Sequence, residues 1–219
     1  MKTKGVLLIL SVLLFSSCIV KSLQPFYITS SLHYNQHLLG KWTDHKKGQW
    51  TVESFQAKFE EDQKEDIKLS EDDKLAYDTY KDGYLVTYIK NEKEAVFIAM
   101  PFKIENQYFL DFIPINIEDE EINSLAAEHL LKTHSVAKLD FTTDKNVMFS
   151  WLSEKRIKDI FEENKIRLKH ESIGPEQTLL LTATSEELYR FLKKYLNADI
   201  ENKWTESDQI ALTRANAKP

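Results

Sequence analysis

The sequence predicts a mostly β fold of the α+β class: an antiparallel β-barrel or strongly curved sheet with two to three helices, one of them late before the final strand. The first observation is a series of short segments rich in Tyr, Phe, Val and Ile, separated by turn residues such as Asp82-Gly83. Such a series is typical of antiparallel hairpins. The second is the amphipathic stretch Thr184–Leu196, which a last apolar segment follows. Closure into a barrel would remove the exposed edges of such a sheet.

The first 17 residues have the three parts of a secretory signal, which are a positive start, a short apolar run and small residues at its end. Lys2 and Lys4 make a positive start, and residues 6–15 are apolar except for one serine. This run is too short to span a bilayer, which takes roughly 20 residues, but it suits a signal peptide. The residues that follow resemble the lipobox of bacterial lipoproteins, an aliphatic residue, two small residues and a cysteine. The corresponding residues are Phe15, in place of the usual Leu or Val, and then Ser16, Ser17 and Cys18.

This resemblance implies a lipid anchor on Cys18, the only cysteine of the chain. It implies a diacylglyceryl thioether on that cysteine, cleavage between Ser17 and Cys18, and acylation of the new N-terminus. The alternative is a buried free thiol in an uncleaved helix. Two or three acyl chains would hold the protein firmly at a membrane. The predicted organisation is therefore a signal peptide at 1–17, the lipidated cysteine with a tether at 18–36, and the barrel domain at 37–219.

The resemblance also implies a location in the bacterial cell envelope. In two-membrane bacteria an Asp after the cysteine retains lipoproteins in the inner membrane, and this chain has Ile19 there. We therefore expect the outer membrane, facing the periplasm. Without residues 1–17 the chain has 27 basic and 35 acidic residues, a net charge of about −8. Such an acidic chain is a poor nucleic-acid binder, so we expect no nucleic-acid partner.

Alternation and turn residues predict strands along most of the domain. Pro101 suggests a sheet edge or a bulge in its strand. The polar and acidic composition of Phe59–Asp73 predicts a solvated loop. The alternative is a calcium site, but the stretch lacks the regular oxygen spacing and the glycine of a calcium-binding loop. The predicted strands are Leu38–Thr43, Gln49–Phe55, Leu75–Tyr80, Tyr84–Lys90, Ala95–Ile104, Gln107–Ile113, Val136–Phe141, Val147–Trp151, Ile166–His170, Thr178–Thr182 and Gln209–Thr213.

Three stretches have helical periodicity. Glu118–Lys132 has acids in its first turn, which favour the positive end of a helix dipole, and Glu154–Glu163 is a shorter amphipathic segment. Thr184–Leu196 is the clearest, because Thr184 and Glu187 have the spacing of a capping box. Its apolar residues recur at positions i, i+3, i+4, i+7 and i+8.

Gly40, Lys41 and Trp42 resemble the Gly-x-Trp motif at the first strand of lipocalin-like barrels. The late helix and final strand follow the same order. The resemblance implies that Arg214, after the last strand, stacks on Trp42 at the closed end of the barrel. The alternative is an ordinary core tryptophan and an arginine in a frayed tail. The mature chain also resembles a group of uncharacterised bacterial proteins through KSLQPFY (21–27), LLGKWTD (38–44), YFLDFIP (108–114) and LTATSEELYRFL (181–192).

The candidate reactive residues do not make a recognisable catalytic set. His33 and His37 have an i, i+4 spacing that could bind zinc on a helix, but further ligands would be needed. His129 and His134 lie near a predicted helix end. Asp111 lies inside an apolar strand, where a buried carboxylate is conceivable, although alternation places its side chain outward. We predict no catalytic residues, no metal site and no cofactor.

The expected function follows from location and fold together. Cup-shaped barrels commonly hold apolar ligands, so we expect an envelope lipoprotein that binds a small apolar molecule or an envelope partner. The alternative is a structural or interaction subunit whose barrel is filled and holds no ligand. An enzyme is the least expected class, and the ligand-binding residues are not predicted by the sequence.

Overall fold

The computed structural model describes residues 19–62, 70–116, 130–163, 166–201, 203–204 and 209–215. Cys18 and Ser17, His129 and most of the predicted helix Glu118–Lys132 lie outside these ranges. The last three residues of that stretch, Leu130 to Lys132, are described and are not helical.

Most of the described chain is in eleven strands and four α-helices. Two single turns of 3-10 helix, Thr29–Ser31 and Gln36–Leu38, precede the first long strand. The strands are β1 (Lys21–Ser22), β2 (Gly40–Asp44), β3 (Gln49–Ser54), β4 (Tyr84–Lys90), β5 (Lys93–Ile104), β6 (Gln107–Asn116), β7 (Ser135–Thr143), β8 (Asn146–Trp151), β9 (His170–Ile173), β10 (Thr178–Leu181) and β11 (Gln209–Arg214). The helices are α1 (Phe55–Asp62), α2 (Glu71–Tyr80), α3 (Glu154–Glu162) and α4 (Ser185–Asn197).

The main sheet is a closed barrel, as predicted. Its eight strands follow the order β11-β2-β3-β4-β5-β6-β7-β8, and each neighbouring pair is antiparallel. The final strand closes the sheet by pairing with β8 on one side and β2 on the other. This pairing places Arg214 opposite Trp42 in register. The fold is therefore mostly β with a few helices, consistent with a lipocalin-like barrel.

Two apolar cores lie on opposite faces of the barrel wall. The barrel core consists of inward-facing residues: Leu38, Trp42, Trp50, Val52, Tyr84, Val86, Ala99, Leu110, Phe112, Ala137, Leu139, Val147, Phe149, Trp151 and Leu212. The outer core forms where α3, α4, β10 and the N-terminal segment cover the outside of β5, β6 and β7. It includes Val20, Phe26, Phe102, Ile104, Phe109, Val136, Leu152, Ile157, Ile160, Leu179, Leu181, Leu188, Phe191, Leu192 and Tyr195.

The helix α4 forms as its pattern predicts. The Thr184 side chain accepts from the Glu187 backbone N–H, and the Glu187 carboxylate accepts from the Thr184 N–H. Its apolar stripe is buried in the outer core. The predicted helix at Glu154–Glu163 is also confirmed, as α3, with Ile157 and Ile160 buried.

The prediction of a loop at Phe59–Asp73 and a strand at Leu75–Tyr80 is wrong for the described residues there. Phe59 belongs to α1, and the second stretch is the end of α2. The helix α2 begins at a capping box in which Ser70 and Asp73 exchange hydrogen bonds. Three acids in its first turn favour the helix dipole, so local capping overrides the strand propensity of the tyrosines.

The predicted strand Thr178–Thr182 is confirmed as β10, whereas the predicted strand Ile166–His170 is wrong except for its last residue. In the structure β9 begins only at His170, and it forms a small separate sheet with β10 and β1. The reason is that β1 and β10 pair over the outer core instead of extending the barrel wall.

The segment interpreted as a tether at 18–36 is packed on the domain over its described part. Val20 and Phe26 are buried in the outer core. Ser22 pairs with His134 through two backbone hydrogen bonds of 2.8 and 2.9 Å. Burial of apolar side chains explains why this segment is not extended in solvent. We call residues 19–27 the N-terminal arm.

Pro101 lies in β5 where the strand has run past its partner β4, whose pairing ends at Ala99. The position is thus a local edge within a closed barrel, which is where a residue without an N–H is tolerated. The Pro101 carbonyl accepts a hydrogen bond from the His33 backbone N–H at 2.9 Å.

Candidate functional site

The barrel interior is occupied by aromatic side chains. The Trp50 ring centroid lies 4.4 Å from that of Tyr88 and 6.0 Å from that of Phe149. Phe149 in turn lies 6.1 Å from Phe112, and Phe112 lies 5.7 Å from Trp151. An eight-stranded barrel can be filled by its own side chains or hold one small ligand. Here the inward-facing residues are buried against one another, so the rings take the space that a ligand cup would need.

The predicted contact between Trp42 and Arg214 is confirmed. The Arg214 guanidinium carbon lies 4.2 Å from the Trp42 ring centroid. Its two terminal nitrogens donate to the carbonyls of Leu39, at 2.9 Å, and His37, at 2.6 Å. The arginine therefore ties the last strand to the segment that leads into the first.

Gly40 is required by the same arrangement. Its φ is +113°, a conformation that L-residues rarely adopt. A Cβ at this position would also lie 3.0 Å from Nη1 of Arg214. The three signature residues Gly40, Trp42 and Arg214 are thus a structural unit that closes one end of the barrel.

Asp111 points out of the barrel, as alternation predicts, but it is fully buried because the outer core covers it. Its Oδ2 accepts a hydrogen bond of 2.7 Å from the Phe26 backbone N–H, and His134 Nδ1 lies 2.6 Å from Oδ1. Burial raises the pKa of Asp111, and the bonds from His134 and Phe26 oppose that rise. Both carboxylate oxygens are engaged, so this residue holds the N-terminal arm on the barrel.

The histidine pair weighed as zinc ligands lies beside the barrel end. The His33 ring packs on Tyr108 with centroids 5.5 Å apart, and His37 lies in the 3-10 turn before β2. Within the ranges that the structure describes, no group of three or more His, Cys, Asp or Glu is placed to hold a metal ion.

A ligand-sized groove lies outside the barrel, between α3, α4 and residues 166–170. We call it the outer groove, and its volume is about 710 Å³. Its lining residues are Phe161, Ile166, Arg167, Leu168, Lys169, His170, Glu187, Arg190, Phe191 and Lys194. The Phe161 ring stacks on that of His170 at 4.5 Å and 20°, which fixes one wall of the groove.

The lining of the outer groove has an apolar part and a cationic part. Phe161, Ile166, Leu168 and Phe191 provide the apolar part. Arg167, Lys169, Arg190 and Lys194 are exposed cations, and among the described residues none of the four forms an ion pair. The arrangement can therefore receive a molecule with one apolar part and one anionic part.

Among the described residues that line the groove, Glu187 is the single carboxylate, and it is already engaged. Its Oε2 accepts from the Thr184 backbone N–H at 2.9 Å and from the Thr184 hydroxyl at 3.1 Å. These two hydrogen bonds lower the pKa of Glu187, and the nearby charges of Arg190 and Lys169 add to the effect. The cations of the groove thus outnumber its carboxylates in a protein whose overall charge is negative.

None of the groove residues was predicted as a binding residue. The available signals were the alternation of apolar and basic residues at 166–170 (IRLKH) and the i, i+4 pair Arg190 and Lys194 on α4. Each alone is typical of a surface strand or a solvated helix face. Only tertiary packing brings the two together.

No family model matches the chain, and the curated proteins and solved structures yield no match either. Among the residues that the structure describes, no helix is long and apolar enough to cross a bilayer.

Proposed function

We propose that this protein is a bacterial envelope lipoprotein, anchored through lipid on Cys18, that binds a small apolar molecule in the outer groove. The observation that carries the proposal is the groove itself: a concave site of about 710 Å³ with four apolar side chains, placed outside a barrel whose interior is filled. Small-molecule sites typically measure about 300–1,000 Å³ and combine apolar walls with a few polar groups.

The proposed anchor rests on the lipobox resemblance. The N-terminal arm would join that anchor directly to the folded domain. Ile19 bridges to Ser153 at the start of α3, and the Val20 N–H donates to the Leu152 carbonyl at 3.3 Å. Consecutive Cα atoms are about 3.8 Å apart, and Cys18 directly precedes Ile19. A lipid on Cys18 would therefore hold the domain close to the membrane surface. The outer membrane is the proposed location, because Ile19 takes the place of an inner-membrane retention residue.

The filled barrel supports a second candidate function, an interaction subunit without a small ligand. In that case the barrel would be a rigid scaffold, and its outer surface would contact another envelope protein. The two candidates differ in whether a small molecule accompanies the protein when it is isolated.

The test is mass spectrometry of small molecules that co-purify with the protein from its native membranes. We expect one apolar species in the parent and its loss in Leu168→Trp, because the larger side chain would occupy the groove. Leu75→Trp is the matched control: it adds the same volume at a leucine that is 68% exposed on α2.

A species retained by Leu168→Trp would show that the ligand lies elsewhere. If the parent itself carries no small molecule, while cross-linking in intact cells captures an envelope protein, the interaction subunit is the better account.

A further inference from the structure

We infer that the occupant of the outer groove is a long-chain carboxylate, a single-chain amphiphile drawn from the membrane to which the protein is anchored. The inference rests on the proposed function and adds the chemical class and source of the ligand. It depends on three independent features of the groove: its charge, the division of its lining and its position relative to the anchor.

The charge of the groove selects an anion. Arg190 and Lys194 lie one turn apart on α4, while Arg167 and Lys169 lie on the facing segment. A guanidinium presents two parallel N–H groups that fit both oxygens of a carboxylate. The lone acid Glu187 is bonded to Thr184, so four cations face one engaged carboxylate.

The division of the lining selects an amphiphile instead of a small polar anion. Phe191 is buried in the outer core with one edge on the groove, and Phe161, Ile166 and Leu168 pack against that core. An inorganic anion would leave these side chains facing water, whereas an alkyl chain would cover them. One chain with one charged end satisfies both parts of the lining.

The position of the groove selects a membrane source. The arm that follows Cys18 reaches the barrel at Ser153, the residue before α3. Phe161, on the groove wall, lies eight residues further along the chain on the same helix. At 1.5 Å per residue this is roughly 12 Å, so the groove lies within a lipid's length of the anchored end.

The test uses the full-length lipidated protein in vesicles of zwitterionic lipid, labelled with a photoactivatable dodecanoic acid. A photoactivatable dodecanol of equal chain length is the neutral probe. We expect the acid to cross-link residues 161–170 and 187–194, with an apparent affinity about tenfold above that of the alcohol. Peptide mass spectrometry locates the labelled residues.

Variants on α4 test the role of charge. Arg190→Gln with Lys194→Gln should remove most of the preference for the acid, while labelling by the alcohol stays unchanged. Lys193→Gln is the matched control, because Lys193 is exposed on the same helix but does not line the groove.

The outcomes separate this inference from the proposed function. Equal labelling of the groove by acid and alcohol would overturn the carboxylate while leaving an apolar ligand site in place. If the double variant keeps the preference for the acid, the inference that the α4 cations of the groove select the carboxylate is overturned. Absence of groove labelling by both probes, or labelling inside the barrel, would overturn the proposed function as well.

Discussion

Arg214→Ala is predicted to destabilise the barrel more than any ordinary surface arginine would. The substitution removes two hydrogen bonds, to the carbonyls of Leu39 and His37, and the guanidinium 4.2 Å from the Trp42 ring centroid. Partly exposed bonds to a charged donor contribute about 1 kcal/mol each, and the cation–π contact contributes about 1 kcal/mol. The expected loss in the free energy of unfolding is therefore about 3 kcal/mol.

This loss has a measurable thermal consequence. For a chain of about this size, 1 kcal/mol corresponds to roughly 2–4 °C in Tm, so the variant should melt about 6–12 °C below the parent. Arg214→Lys should recover about half of the loss in Tm. Its ammonium can stay near the indole ring of Trp42, but it lacks the two terminal nitrogens with which a guanidinium reaches both carbonyls. Circular dichroism at a strand wavelength follows the transition.

Arg167→Ala is the matched control, since Arg167 is exposed on the groove rim and surface substitutions cost about 0.5 kcal/mol or less. Its Tm should stay within about 2 °C of the parent. If Arg214→Ala melts no lower than Arg167→Ala, the contacts of Arg214 do not stabilise the closed barrel, and the prediction is refuted.

Four other substitutions test separate features of the molecule. Asp111→Ala should cost about 3 kcal/mol in denaturant unfolding, because it leaves buried donors unpaired; a parent-like midpoint would show that the N-terminal arm is held by other contacts. Leu192→Ala, at a residue that is 0% exposed, should lower the free energy of unfolding by about 2–5 kcal/mol. Thr184→Ala should lower it by about 1 kcal/mol through the lost helix cap. Unchanged melting temperatures of both variants would mean that α4 adds little stability. Cys18→Ser should leave the protein uncleaved or in the soluble fraction, and a variant that matures and pellets with membranes would disprove the anchor.

The barrel strands were predictable because their information is local. Turn residues such as Glu105-Asn106 separate segments whose alternation matches an inward and an outward face. The contact of Trp42 with Arg214 followed from chain order, since the first and last strands of a closed barrel are neighbours. These features need no knowledge of what lies outside the barrel.

The errors arise where a second layer or a local cap decides the structure. Asp111 has the alternation of a solvent-facing residue, and the outer core packed over it makes it buried. The end of α2 has strand-like tyrosines, yet the cap at Ser70 starts a helix. In each case the deciding partner is outside the segment that the pattern describes.

The outer groove was not predictable for the same reason. Leu168 and Phe191 are 23 positions apart in the sequence, and each alone is an ordinary amphipathic position. Their meeting depends on how α4 and the chain after α3 pack on the outside of the barrel. A filled barrel interior likewise depends on side-chain sizes across eight strands, which alternation does not encode.

The proposed ligand site lies on the outside of the barrel. The most direct measurement is a crystal structure of the full-length protein purified from its own membranes with the co-purified molecule bound. We expect electron density for an extended chain against Leu168 and Phe191, with its charged end near Arg190. Density among Trp50, Phe149 and the other rings of the barrel core, with the outer groove filled only by water, would contradict it.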